Sequence, residues 1–174
     1  MIGLLKPTLQ FEAIYKVPVS TLLDMGIGGL LLDLDNTIAR WNDSTLTDDV
    51  VKWFEHAGRQ GMKSCIISNN SSPERVARIA ERLGIHYVFK AAKPRKKAFL
   101  MGIEVLGLEP DRIVVIGDQL FTDVLGANRV GLKSILVNPL FHREFAGTKV
   151  LRLMERMVGR RTVFSEPSVR VEKK

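Results

Sequence analysis

The chain holds a single cysteine, so no disulfide can form within it. That residue, Cys65, lies inside the apolar pattern Lys63-Ser64-Cys65-Ile66-Ile67 and reads as a buried structural thiol rather than a reactive one. Aromatic residues are scarce, at 7% of the chain, and supply no stacking platform of the kind a reader of single-stranded nucleic acid needs. No apolar run is long enough to cross a bilayer, the longest lying near Met25 to Leu32. Met1 to Val17 lacks a basic segment followed by a long apolar one, and Lys6-Pro7 interrupts what apolar character there is, so no targeting signal is read there. These absences predict a soluble, cytoplasmic protein. Low-complexity tracts, internal repeats and dividing linkers are missing too, and 174 residues suffice for one domain with a full core.

What is present in excess is positive charge. The net charge of +7 points to an anionic partner. From His142 to Lys174 there are nine basic residues against four acidic ones, a local excess of +5, so most of the surplus lies in the last fifth of the chain. There Val150, Leu153, Met154, Met157 and Val158 share one helical face, and Lys149, Arg152, Arg156 and Arg160 another. This basic amphipathic pattern fits a last helix docked on the domain, or a surface that rests on anionic lipid at the inner face of the membrane.

Apolar β-branched runs alternate with helical patterns along the rest of the chain. Thr47-Asp48-Asp49 opens a helix of period Val50, Val51, Phe54 and Ala57 that stops at Gly61. Lys63 to Ile67 is a strand; Ser72-Pro73-Glu74 starts a helix that Gly84 ends. A short strand at His86 to Phe89, a helix over Lys96 to Leu106 and a strand over Arg112 to Ile116 follow. A helix over Thr122 to Arg129 and a strand over Ser134 to Val137 close the series. The alternation predicts an α/β fold, a Rossmann-like, mostly parallel sheet with helices on both faces. Residues 1–24 are read as a lead-in segment packed on the domain, with Ser20 capping a short helix. Residues 25–160 form the domain itself, and 161–174 a polar, disordered tail.

The most informative stretch is Gly28-Gly29-Leu30-Leu31-Leu32-Asp33-Leu34-Asp35-Asn36-Thr37, a buried-strand pattern ending in two carboxylates. If the extended geometry lasts through Asp35, both carboxylates lie on one side of the chain. Two like charges so close stay ionised only beside a cation, and Mg²⁺ suits all-oxygen ligands. The other strands also end in polar groups: Ser68-Asn69-Asn70, Lys93, and Asp118 with Asp123. In a parallel sheet these ends converge on one edge, gathering metal ligands, a hydroxyl and a cation. That set suits phosphoryl transfer, which is largely positioning and charge neutralisation around phosphorus.

The series Asp33-Leu34-Asp35-Asn36-Thr37, Ser68, Lys93-Pro94 and Gly117-Asp118 with Asp123 resembles the four motifs of the haloacid dehalogenase-like phosphatases, subclass IIIA, across about Ile27 to Val137. The resemblance implies that Asp33 is the nucleophile of an aspartyl-phosphate, and that Asp35 protonates the leaving oxygen and then activates water. It implies phosphate binding by Ser68, Asn69 and Lys93, and Mg²⁺ held by Asp33, the Asp35 backbone and Asp118, with Asp123 an outer ligand or orienting group. The second aspartate argues against carbon-halogen chemistry. The gaps between motifs leave no room for a cap domain, so the site is expected to be open or covered by a neighbouring subunit.

Ser-Asn-Asn, Gly117-Asp118-Gln119-Leu120-Phe121-Thr122-Asp123 and Gly126-Ala127-Asn128 are further similar to YqeG-type bacterial phosphatases and mitochondrial phosphatidylglycerophosphate phosphatases, which implies phosphatidylglycerophosphate as a substrate. Blander readings stand beside these. Ser68 or Asn69 could cap a helix, Lys93 could belong to the solvated run Lys90, Arg95, Lys96 and Lys97, and Asp123 could sit in a helix's first turn. Trp41 could line the entrance or merely pack, and His56, His86 and His142 fit no ligand spacing. Alternative functions are a phosphatase of a soluble metabolite, a phospho-acceptor switch, disfavoured by the paired Asp33 and Asp35, and an RNA-associated module, disfavoured by the few aromatics.

Overall fold

An unbroken apolar stretch is stable in extended form only where both faces are covered, and Gly29–Leu32 meets that condition as strand β2, every residue buried. In the computed structural model, which describes residues 2–140, β2 is central in a six-stranded, wholly parallel sheet. The other strands are β1 (Leu9–Phe11), β3 (Lys63–Ile67), β4 (His86–Val88), β5 (Ile113–Gly117) and β6 (Lys133–Val137), and the spatial order is β1-β6-β5-β2-β3-β4. The basic helix read near Thr148 to Gly159, the tail from Arg160 and His142 lie outside the described residues.

Side chains alternate across β2 and so divide the core. Leu30 and Leu32 join Val50, Trp53 and Phe54 of α2 (Asp48–Arg59) and Val76 and Ile79 of α3 (Pro73–Leu83). Leu31 faces the other way, onto Phe99 and Leu106 of α4 (Lys96–Leu106) and Ala127 of α5 (Leu125–Arg129). The chain steps from β2 through β3 to β4, then crosses back under the sheet through α4 to β5. The reversal puts α4 on the opposite face from α2 and α3, as right-handed crossovers require. It also places a topological switch point beside β2, where such sheets bind ligands.

The helix ends follow their punctuation. Thr47 caps α2, its hydroxyl accepting from the Val50 N–H, and Ser72 caps α3 with Pro73 at the first helical position. Gly84 and Gly107 close α3 and α4 in the left-handed conformation that glycine adopts without strain. Three expectations are corrected. The short helix α1 (Val19–Asp24) is capped from Pro18 with no side-chain bond, and Ser20 lies inside it. The helix expected from Thr122 begins earlier, as a widened turn over Leu120–Val124 that leads into α5. Finally, the N-terminal lead-in contributes a strand as well as packing: β1 pairs with β6, Leu9 opposite Ile135.

Candidate active site

Register aligns the strand ends. Leu32 pairs with Ile66 on one side and Ile116 on the other, so the chain leaves the sheet at Asp33, Ser68 and Asp118 along one edge. Lys93 arrives from the loop after β4, and Asp123 from the turn before α5. These five are buried. The sheet-end loops also hold the non-glycine residues with positive φ: Asn36, Asn42, Lys90 and Ala92. Such conformations are uncommon and persist only where surrounding structure enforces them.

Lys93 is the hub. Its Nζ stands 2.6 Å from Asp33 Oδ1 and 2.6 Å from Asp123 Oδ1. The loop that carries it is pinned by Asn69, whose Oδ1 accepts from the Lys93 N–H at 2.7 Å and whose Nδ2 donates to the Lys93 carbonyl at 3.2 Å. Asn69, read from sequence as a phosphate ligand, lines the cavity but has its amide engaged with this loop. Ser68 also lines the cavity, its Oγ accepting from the Asn70 N–H at 3.1 Å. Asp123 comes close because Gly117 has no side chain: a Cβ there would strike the Asp123 carboxylate.

Asp33, Asp118 and Asp123 can each bring one carboxylate oxygen within 4.8 Å of the other two. Burial pushes the Asp33 carboxyl up to about 7, against the lowering pull of Lys93 and with Asp123 adding to the rise. Burial alone would lower Lys93, but Asp123 and Asp33 reverse this and hold it above the usual lysine range. Three buried carboxylates facing one ammonium leave the cluster short of positive charge. Its all-oxygen donors and net negative charge fit a hard divalent cation such as Mg²⁺.

Asp35 lines the same cavity as Asp33, as the alternation predicted, but its carboxylate points elsewhere. Its Oδ1 is 2.8 Å from Arg75 Nη1, and its Oδ2 accepts from Asn70 Nδ2 at 3.1 Å. The carboxylate cluster therefore does not include the Asp35 side chain. That leaves its backbone, the atom the motif resemblance implied, as its contribution to a metal. The cavity, about 520 Å³, is further lined by Trp41, Asn42, Gln119 and Thr122. No inserted element stands over it among the described residues. Arg75 carries no sequence signal of a site role, resembling any helix arginine, and Gln119 enters only as one residue of the Gly117 to Asp123 stretch. Trp41 is 44% exposed at the cavity, whereas Lys90, Arg95, Lys96 and Lys97 do not line it.

A parallel sheet with a switch point, four polar strand ends and a lysine wedged between aspartates defines a hydrolase class. The sequence profile of the haloacid dehalogenase-like hydrolases matches residues 4–131, and the chain belongs to that family. It is 39% identical over 145 residues to a Bacillus subtilis (strain 168) protein described as "Probable phosphatase YqeG", across 83% of this chain and 84% of that one. A glyceraldehyde 3-phosphate phosphatase of Methanothermobacter thermautotrophicus is 31% identical over 88 residues, 45% of this chain and 38% of that one. A crystal structure of an uncharacterized protein from Listeria monocytogenes serotype 4b shares the fold, with a TM-score of 0.57 at 18% identity, over 75% of this chain and 99% of that one. Within its family the chain is a phosphatase.

Proposed function

We propose that the protein is a Mg²⁺-dependent phosphomonoesterase working through an aspartyl-phosphate on Asp33. The observation that carries this is the pairing of Asp33 with Lys93 at 2.6 Å beside two further buried aspartates, at a strand end that opens to the cavity. Lys93 keeps a positive charge where a phosphoryl oxygen would lie and holds Asp33 in place for attack on phosphorus. The P–O ester bond breaks as the Asp33–phosphorus bond forms, and the leaving oxygen takes a proton from Asp35. Asp35 then receives a proton from the water that hydrolyses the intermediate, so one hard displacement becomes two easier ones. Ser68 has its hydroxyl at the cavity to bond a phosphoryl oxygen, and Asn69 acts by fixing the Lys93 loop. Asp33, Asp118 and the Asp35 backbone are the proposed Mg²⁺ ligands, with Asp123 behind them. The ion when bound supplies charge neutralisation for the transferring group.

A lipid-linked phosphate, phosphatidylglycerophosphate in particular, is the proposed substrate class. The motif resemblance supports it, as does a cavity that no inserted element covers among the described residues, since an open site can meet a headgroup that stays in its membrane. The basic residues between Arg143 and Arg161 supply the attraction to an anionic surface. The similarity to a glyceraldehyde 3-phosphate phosphatase over 88 residues supports a second reading, a small soluble phosphate. An aryl phosphate assayed with Mg²⁺ and with EDTA tests the reaction. Turnover that EDTA abolishes is expected, and no turnover under any divalent metal overturns it. Rates on phosphatidylglycerophosphate in mixed micelles, against triose phosphates, nucleotides and phosphopeptides, decide between the substrates.

A further inference from the structure

The reaction as written leaves one buried charge without a role. Arg75, in the first turn of α3, is 8% exposed, yet a guanidinium keeps its charge even when buried. Its side-chain contacts all lead toward the site. Nη1 lies 2.8 Å from Asp35 Oδ1; Nη2 donates to the carbonyls of Arg40 at 2.8 Å and Asp43 at 2.7 Å, and Nε donates to Asp43 at 3.1 Å. The stretch those carbonyls belong to carries Trp41 and Asn42, both in the cavity wall. One rigid side chain thus joins the Asp35 carboxylate to the cavity rim from the end of a helix packed in the core.

The contact with Asp35 differs in kind from the others. At 2.8 Å it is a close ion pair, but Arg75 Nη1 and Asp35 Oδ1 lie off the hydrogen-bond axis, and neither has another hydrogen-bond partner among the described residues. The two carbonyls are gripped by directed bonds, whereas Asp35 is held by the charge of Arg75 at Oδ1 and by the Asn70 amide, 3.1 Å away, at Oδ2. A carboxylate held at both oxygens keeps its place relative to the rim loop. A residue serving only to brace the loop would have no need of this fourth contact.

We infer that Arg75 is a positioning residue for proton transfer to the leaving oxygen. It fixes Asp35 relative to the rim loop, and through Asp35 it sets how well the enzyme cleaves esters whose leaving group needs a proton. The inference rests on the assignment of Asp35 given above. When Asp33 attacks an alkyl phosphate, the departing alkoxide must take the Asp35 proton, while an aryl oxide departs without one. Misplacing Asp35 must therefore harm alkyl substrates selectively.

The test compares kcat/KM on ethyl phosphate and p-nitrophenyl phosphate, with Mg²⁺, for wild type, Arg75→Met, Arg75→Lys and Asp35→Asn, each checked by its melting temperature. Both Arg75 variants should lose about tenfold or more on the alkyl ester beyond their loss on the aryl ester. Lysine is included because a single ammonium cannot span Asp35 and two carbonyls at once. In the Asp35→Asn background, Arg75→Lys should leave the alkyl-to-aryl ratio unchanged. Equal losses on both esters in Arg75 variants, with Asp35→Asn discriminating between them, overturn the inference and leave the acid assignment standing. An Asp35→Asn variant with the wild-type ratio overturns both. Should Arg75→Met fail to fold, Arg75→Lys decides: a wild-type ratio overturns the inference, and a shifted ratio supports it.

Discussion

At the scale of single residues, the site works by forcing together groups that burial would keep neutral. Replacing Asp33 by Asn removes the proposed nucleophile, and activity on an aryl phosphate should fall by at least about a thousandfold while the far-ultraviolet spectrum stays unchanged. Asp35→Asn should instead accumulate a phosphorylated protein, seen as a mass increase on intact-protein spectrometry, because the second step loses its proposed base. Burial also makes Asp33 a source of pH sensitivity. Its carboxyl stands at about 7 in the metal-free fold against an ordinary 3.8, so between those values the folded state holds a proton that the unfolded chain has released. Stability of the EDTA-treated protein should therefore fall as pH rises from about 4 to about 7, and Asp33→Asn should flatten the trend in melting temperature. Gly117→Ala would push a methyl into the Asp123 carboxylate; weaker stabilisation of the variant than of wild type by Mg²⁺, read as a smaller melting-temperature increment, is the expected result. The meeting of Asp33, Ser68, Lys93 and Asp118 was legible because three of them follow apolar runs and Lys93 stands before Pro94. The placement of Arg75 between Asp35 and the rim carbonyls was not. One arginine in a helix looks like any other until the fold shows which carbonyls close around it.

At the scale of elements, legibility tracked how strongly each end is punctuated. α3 begins and ends where Pro73 and Gly84 place it, α4 ends at Gly107, and β3 matches its apolar run. β1 escaped notice because three residues with mixed exposure on a sheet edge carry no apolar run to detect. The widened turn at Leu120–Val124 escaped too, since an extra residue per turn leaves the apolar pattern of a helix nearly intact. The contact of α4 with α5 shows where helix packing is tight. In α5, a Cβ on Gly126 would overlap the ring of Phe99, which is fully buried in α4. Gly126→Ala should destabilise the protein by about 1–3 kcal/mol in urea unfolding, the usual penalty of overpacking a core.

At the scale of the whole molecule, charge is distributed unevenly, and the substrate proposal turns on that. Basic residues near an anionic bilayer contribute roughly 1 kcal/mol each, an attraction that salt screens. Wild type should sediment with anionic vesicles at low ionic strength, and a variant with Arg152, Arg156, Arg160 and Arg161 all changed to Gln should lose this while keeping turnover of a soluble ester. Equal sedimentation by both would leave the lipid assignment resting on motif similarity. No helix among the described residues is long and apolar enough to cross a membrane. The pairing of β1 with β6 carries a consequence for synthesis. Among the described strands Leu9–Phe11 leaves the ribosome first, yet its partner, Lys133–Val137, emerges last. Throughout translation the β2–β3 pair can form while β1 waits, and the loop that must close to seat it spans nearly the whole described chain. Nascent chains stalled before Lys133 should consequently hold a protease-sensitive amino-terminal segment that becomes resistant only once β6 has been made.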